Sequence, residues 1–165
     1  MFTQTQIRSY LETSLVKAEE ALELNNYPIG CVVTDADGNI LAETMNECTT
    51  SEDVSAHAEI VALRKIGKSI SKYTSGDHFL FTSLEPCFGC SFFIARSSIR
   101  EIYSALKDPY KGGTSDLRSQ EQFSDFFQKI HLYNEPFEDL AAKSKELMRQ
   151  YFVRIGNTDA AEFYK

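Results

Sequence analysis

His57-Ala58-Glu59 and Pro86-Cys87-Phe88-Gly89-Cys90 supply an imidazole, two thiols and a carboxylate, the groups that hold a metal ion and move protons. Zinc takes borderline-soft nitrogen and sulphur ligands, and a catalytic site keeps three protein ligands so that the fourth tetrahedral position can accept water. His57, Cys87 and Cys90 form such a set. Zn2+ held by them would lower the pKa of its water to about 7 and make hydroxide available at neutral pH. Glu59, next but one to His57, can then carry protons from the attacking water to the reacting group and to the leaving group.

Two other readings use the same residues. Cys87 and Cys90 could form a redox pair, or a closed structural zinc site could recruit Cys31 or Cys48 as a fourth ligand. Glu59 weighs against both, because neither needs a carboxylate beside the histidine. His78 and His131 lie in strand-like segments and read as packed or surface residues.

Local patterns say how the groups are held. Ser55 precedes a run of helix formers with apolar residues at Ile60, Val61 and Leu63, so His57 and Glu59 fall near a helix start. His78 to Thr82 reads as a buried strand, Ser83 to Pro86 as a turn, and Cys87 as the opening of a second helix. There, three-residue spacing puts Cys87 and Cys90 on one face, and the positive helix end favours the thiolate. Around this unit, Ile7, Leu11, Leu15, Ala18 and Leu22 predict a helix from about residue 5 to 25. A hairpin turns at Asp35-Ala36-Asp37-Gly38, and strands are expected at Ile99–Ala105, parallel to the preceding one, and at Ile130–Tyr133. A closing helix runs from Pro136 to about Val153.

The His-x-Glu and Pro-Cys-x-x-Cys pair is the signature of zinc nucleobase deaminases. The chain resembles the cytidine-deaminase-like superfamily over nearly its whole length, above all the branch of tRNA adenosine, guanine and fungal-type cytosine deaminases. Tyr27 to Val33, with Gly30 inside it, resembles the segment lining the base pocket, where Gly30 would let backbone approach the base. Asn46 matches a substrate-contacting Asn, Thr82 to Pro86 the approach to the zinc cysteines, and Asp108 a loop acid near the sugar of the target nucleotide in tRNA enzymes. The resemblance implies an α/β fold, a three-layer α/β/α sandwich with a five-stranded mixed sheet, usually assembled as a homodimer. It also implies zinc-dependent hydrolytic removal of an exocyclic amine from a nucleobase or nucleoside, with release of ammonia.

Departures from the branch bear on the substrate. Phe88 and Gly89 fill the Cys-x-x-Cys, where the branch usually carries Met, and Asp108-Pro109-Tyr110-Lys111-Gly112-Gly113 keeps only part of the loop of the tRNA enzymes. Guanine deaminases place an acid in a swapped C-terminal tail. The acids and aromatics of 157–165 could likewise form a lid, although a mobile surface tail is the simpler expectation.

The 165 residues are expected to form one domain, 1–165. Four cysteines do not make a secreted framework, the N-terminus does not read as a leader, and no apolar run is long enough to span a bilayer. A cytoplasmic protein without membrane partners follows. The net charge of −7, without a dense Lys/Arg segment, favours a small nucleobase or nucleoside, guanine or cytosine first, over a tRNA. Conversion of a tRNA wobble adenosine to inosine is the alternative, and a zinc-binding scaffold without turnover the second. Phe92, Phe93 and Ile94 are apolar beyond what one buried helix face needs, which suggests a homodimer.

Overall fold

The computed structural model describes residues 2–67, 77–110, 112–127 and 129–165. Lys111, part of the loop compared above, lies outside them. Helix α1 (Gln4–Glu23) starts with a capping box between Thr3 and Gln6 and buries Ile7, Leu11, Leu15, Ala18 and Leu22 along one stripe, the spacing the sequence predicts. The hairpin follows as β1 (Gly30–Asp35) and β2 (Ile40–Met45). Helix α2 (Ala58–Ile66), β3 (His78–Leu84), helix α3 (Phe88–Ala95) and β4 (Ile99–Leu106) come next, then β5 (His131–Asn134) and helix α6 (Glu138–Arg154).

The sheet order is β2-β1-β3-β4-β5. β1 is antiparallel to both of its neighbours, whereas β3, β4 and β5 run parallel because helices intervene. Side chains alternate along each strand, so both faces are buried for different reasons. Val32, Phe81 and Tyr103 face α1 and α6, while Cys31, Val33, Leu80 and Ile102 join Ala58, Ala62, Cys90 and Ile94 of α2 and α3. The result is the expected three-layer sandwich with a mixed sheet, and it sets both N-termini of the motif-bearing helices at one end of the central strands.

Three elements have no counterpart in the sequence expectations. Residues 114–127 form two short helices, α4 (Thr114–Ser119) and α5 (Glu121–Phe127), too brief to display a helical period. The tail is not a surface appendage: Asn157 caps helix α7 (Thr158–Glu162), and Tyr164 beyond it is only 2% exposed. Burial of one large ring outweighs the weak local propensity of a five-residue helix.

Gly30 also differs from expectation. It does not line the pocket described below. A Cβ at this position would lie 2.0 Å from the Ser14 carbonyl oxygen and 2.6 Å from Lys17 Cβ, so the glycine lets α1 lie directly on β1. Gly30→Ala is therefore expected to cost about 1–3 kcal/mol of folding stability through overpacking, with zinc content per folded chain unchanged. Chemical denaturation and metal analysis check this, and a zinc-deficient variant of normal stability would contradict it.

Candidate metal centre and substrate pocket

His57 is the N-cap residue of α2 and Cys87 that of α3, and both have extended backbone. Each therefore projects its side chain from a helix mouth, while Cys90 follows within the first turn of α3. His57 Nδ1 lies 3.6 Å from Cys87 Sγ and 3.5 Å from Cys90 Sγ. Zinc bonds of about 2.0–2.1 Å to nitrogen and 2.3 Å to sulphur, at tetrahedral angles, imply a nitrogen–sulphur separation of about 3.5 Å. The two contacts are therefore those of neighbouring corners of a zinc tetrahedron. Among the described residues these three form the one such His/Cys/Asp/Glu cluster, their ligand atoms all within 4.8 Å of one another.

Cys31 and Cys48 do not join it. Cys31 is buried in the core between the sheet and α2, and Cys48 directs its thiol at the Val54 carbonyl oxygen. A closed four-ligand site built on either is therefore not present. His78 bonds Ser98 Oγ within the fold, and His131 lies on the exposed side of β5.

The electrostatics suit a divalent cation. Cys87 is drawn down to about 4, first by its hydrogen bond with Cys90 and then by His57, while Cys90 is pushed far above the ordinary thiol range by sharing that bond and by burial. A metal ion held there would take both sulphurs as thiolates. His57 is raised, chiefly by its hydrogen bond to Cys87. Glu59, in the first turn of α2, is 2% exposed and is pushed up to about 7 by burial, with the neighbouring Cys87 charge adding to the shift. A cation beside it would act in the opposite direction and favour the carboxylate.

A cavity of about 380 Å³ meets this cluster and is lined by His57, Glu59, Cys87, Asn46, Glu85 and Asp108. Asn46 is buried, and its side-chain oxygen accepts from the Cys48 N–H at 3.1 Å, which leaves its amide NH2 as the donor for a ligand. Tyr27, Tyr110, Phe152 and Tyr164 add an aromatic wall to its lining. Tyr164 stacks on Phe152 at 5.6 Å and donates its hydroxyl proton to Asp108 Oδ1 at 2.7 Å. Oδ1 also accepts from the Tyr110 N–H at 2.9 Å, so Oδ2 is the carboxylate oxygen left for a ligand.

The sequence reading thus named His57, Glu59, Cys87, Asn46 and Asp108 at this cavity and Tyr27 in the pocket-lining segment, reached Tyr164 only as part of a tail that could form a lid, and did not name Phe152. The aromatic density of the C-terminus was the one visible sign of this part of the wall. A second cavity, of about 450 Å³, is lined by all three ligand residues, His57, Cys87 and Cys90, together with Ile60, Leu63 and Phe93 of α2 and α3. It reaches neither Glu59 nor Asn46, so it lacks the groups needed for catalysis on a ring.

A three-ligand nitrogen–sulphur cluster with a buried carboxylate beside it, at the open end of a five-stranded α/β sandwich, defines a zinc-dependent hydrolase of heterocyclic amines. Residues 4–106 match the family model of the cytidine and deoxycytidylate deaminase zinc-binding region, and the chain belongs to that family of zinc-dependent deaminases. It is 33% identical over 146 residues to the tRNA-specific adenosine deaminase of Agrobacterium fabrum, covering 87% of this chain and 91% of that one. It is 48% identical over 91 residues to the guanine deaminase of Bacillus subtilis, covering 54% and 58% respectively. A solved structure from a study of A-to-I editing by tRNA:A34 deaminases superposes with a TM-score of 0.69 at 30% identity, over 85% of this chain and 99% of the other.

Proposed function

We propose that the protein is a single-domain aminohydrolase, 1–165, that replaces the exocyclic amine of a free purine base by oxygen: the base and water give the oxo-base and ammonia. His57, Cys87 and Cys90 hold zinc, which when bound supplies the Lewis acidity that activates water. Glu59 takes a proton from that water and delivers protons to the ring nitrogen and the departing amine. Asn46 donates to the ring, and Asp108 Oδ2 accepts from a ring N–H on the edge remote from the metal.

The observation that carries the free-base reading is Tyr164. This residue of the chain's own tail lines the pocket, is only 2% exposed and is bonded to Asp108, so protein fills the space beside the acid that in the tRNA enzymes lies near the sugar of the target nucleotide. A free base offers an N–H to Asp108 at a ring position that a nucleoside uses for its glycosidic bond. The net charge of −7 and the match to a guanine deaminase over 54% of the chain agree with this reading. Purine is preferred to the cytosine-type substrate also considered, because the named substrates of these relatives are adenosine and guanine.

The second reading, deamination of the wobble adenosine of a tRNA, is favoured by a different observation. The tRNA-specific relatives match over nearly the full length of both chains, whereas the guanine deaminase match covers little more than half of each. Ammonia release across guanine, adenine, their nucleosides and a tRNA anticodon stem-loop separates the two. The expected result is turnover of a free purine, reduced about tenfold to a hundredfold in kcat/KM by Tyr164→Ala, the worth of a hydrogen bond to a charged acceptor plus a ring contact. Turnover of the stem-loop alone, enhanced when the tail is removed after Gly156, would replace this reading by the second.

Two further assignments accompany it. Ile94, grouped with Phe92 and Phe93 in the sequence, is buried in the core, whereas Phe88, Phe92 and Phe93 are about half exposed on α3, and we assign this face to a second copy of the chain. Light scattering should give twice the 18.7 kDa chain mass, and the single mass at all concentrations would count against it. Four free thiols, two of them metal ligands, suit the reducing cytoplasm, and no helix among the described residues is long and apolar enough to cross a membrane.

A further inference from the structure

Glu85 stands two residues before Cys87 and is 2% exposed, yet among the described residues its carboxylate bonds only backbone amides. Oε1 accepts from the Ser115 N–H at 2.6 Å, and Oε2 accepts more loosely from the Asp108 N–H at 3.4 Å. Desolvating a carboxylate carries a cost that an apolar side chain would avoid. What the burial secures is the placement of the Asp108 and Ser115 amides beside the pocket.

The neighbouring residue works in the same sense. The Pro86 carbonyl oxygen accepts from the Thr114 N–H at 3.2 Å and from Ser91 Oγ at 3.1 Å, and Ser91 and Thr114 share a 2.7 Å hydroxyl contact. Gly113 passes so close that a Cβ there would lie 2.1 Å from the Pro86 oxygen. The turn that delivers Cys87 and the loop that delivers Asp108 are therefore fastened to each other at Glu85-Pro86.

We infer that Glu85 is a positioning residue: it fixes Asp108, and through Asp108 the Tyr164 hydroxyl, at a set distance from the metal ligands, so that a substrate gripped at its far edge presents its amine to the reactive end. This rests on the reading that Asp108 faces the substrate, but not on which purine compound is turned over. Glu85 lines the pocket beside Cys87, but both of its carboxylate oxygens are taken by backbone amides, so its loss should loosen binding and selectivity rather than stop the chemistry.

The test compares Glu85→Ala, the isosteric Glu85→Gln and Gly113→Ala, which pushes on the same junction while leaving the carboxylate in place. Each is assayed on whichever substrate the wild-type protein turns over, so an error about the substrate appears in the wild type alone. The expected outcome is KM raised about tenfold in Glu85→Ala, with kcat held within about threefold, a smaller rise in Glu85→Gln, and unchanged zinc content. Hydrogen exchange at the Ser115 amide, which needs no substrate, should accelerate in Glu85→Ala. A fall in kcat at constant KM, loss of zinc, or an equally protected Ser115 amide would overturn the proposal.

Discussion

Glu59→Ala should lower turnover by about 10²–10⁴-fold, toward the upper end, while the protein keeps its zinc. The size follows from the number of proton transfers that depend on one group. His57 is engaged with the sulphurs through Nδ1, and the other carboxylates lining the cavity, Glu85 and Asp108, are held by hydrogen bonds to backbone amides and to Tyr164, so among the described residues Glu59 is the acid placed to serve the ligand cluster. Glu59→Gln should lose activity to a similar degree, since it preserves shape and packing at this buried position but cannot exchange protons. The isostere separates loss of chemistry from the cavity left by alanine. Turnover within tenfold of wild type in either variant, with zinc bound, would remove Glu59 from the mechanism.

Cys90→Ala should abolish turnover through loss of the metal. Folding-coupled zinc sites hold about 10–16 kcal/mol of binding free energy, so one ligand of three is worth several kcal/mol. Zinc affinity should accordingly fall by at least about a hundredfold. Cys48→Ala provides the contrast, because that thiol lies in the pocket wall against the Val54 carbonyl and outside the cluster. It should retain full zinc occupancy by metal analysis. Equal zinc loss in both variants would mean that Cys48 is a ligand, and zinc-free Cys90→Ala with normal turnover would break the link between the metal and the reaction. For wild type, chelation should remove activity and added zinc should restore it.

Much of this arrangement can be read from short stretches of the chain. His57 and Glu59 belong to one helix start and Cys87 and Cys90 to another, so their mutual spacing is set within four residues and depends on helix geometry alone. The apolar stripe of α1 and the alternating strands of the sheet are equally local patterns, and Pro86 before Cys87 marks the turn that opens α3. These residues determine a metal-binding α/β sandwich and the type of reaction its centre performs.

The shape of the pocket is of another kind. Tyr164 meets Asp108 across 56 positions of sequence, and no local period records which aromatic ring of the short C-terminal tail will be buried. Gly30 shows the same limit in reverse. Its place in a pocket-like segment suggested backbone contact with a base, but the missing side chain makes room for Ser14 and Lys17 of α1. Glu85 looked like part of the approach to the cysteines until the fold carried the Ser115 amide to it. Ligand identity and helix starts follow from chemistry within a few residues, which the sequence by itself determines. What closes the pocket, and what a glycine or buried carboxylate is for, follows from contacts between distant segments, and only packing of the whole core decides those.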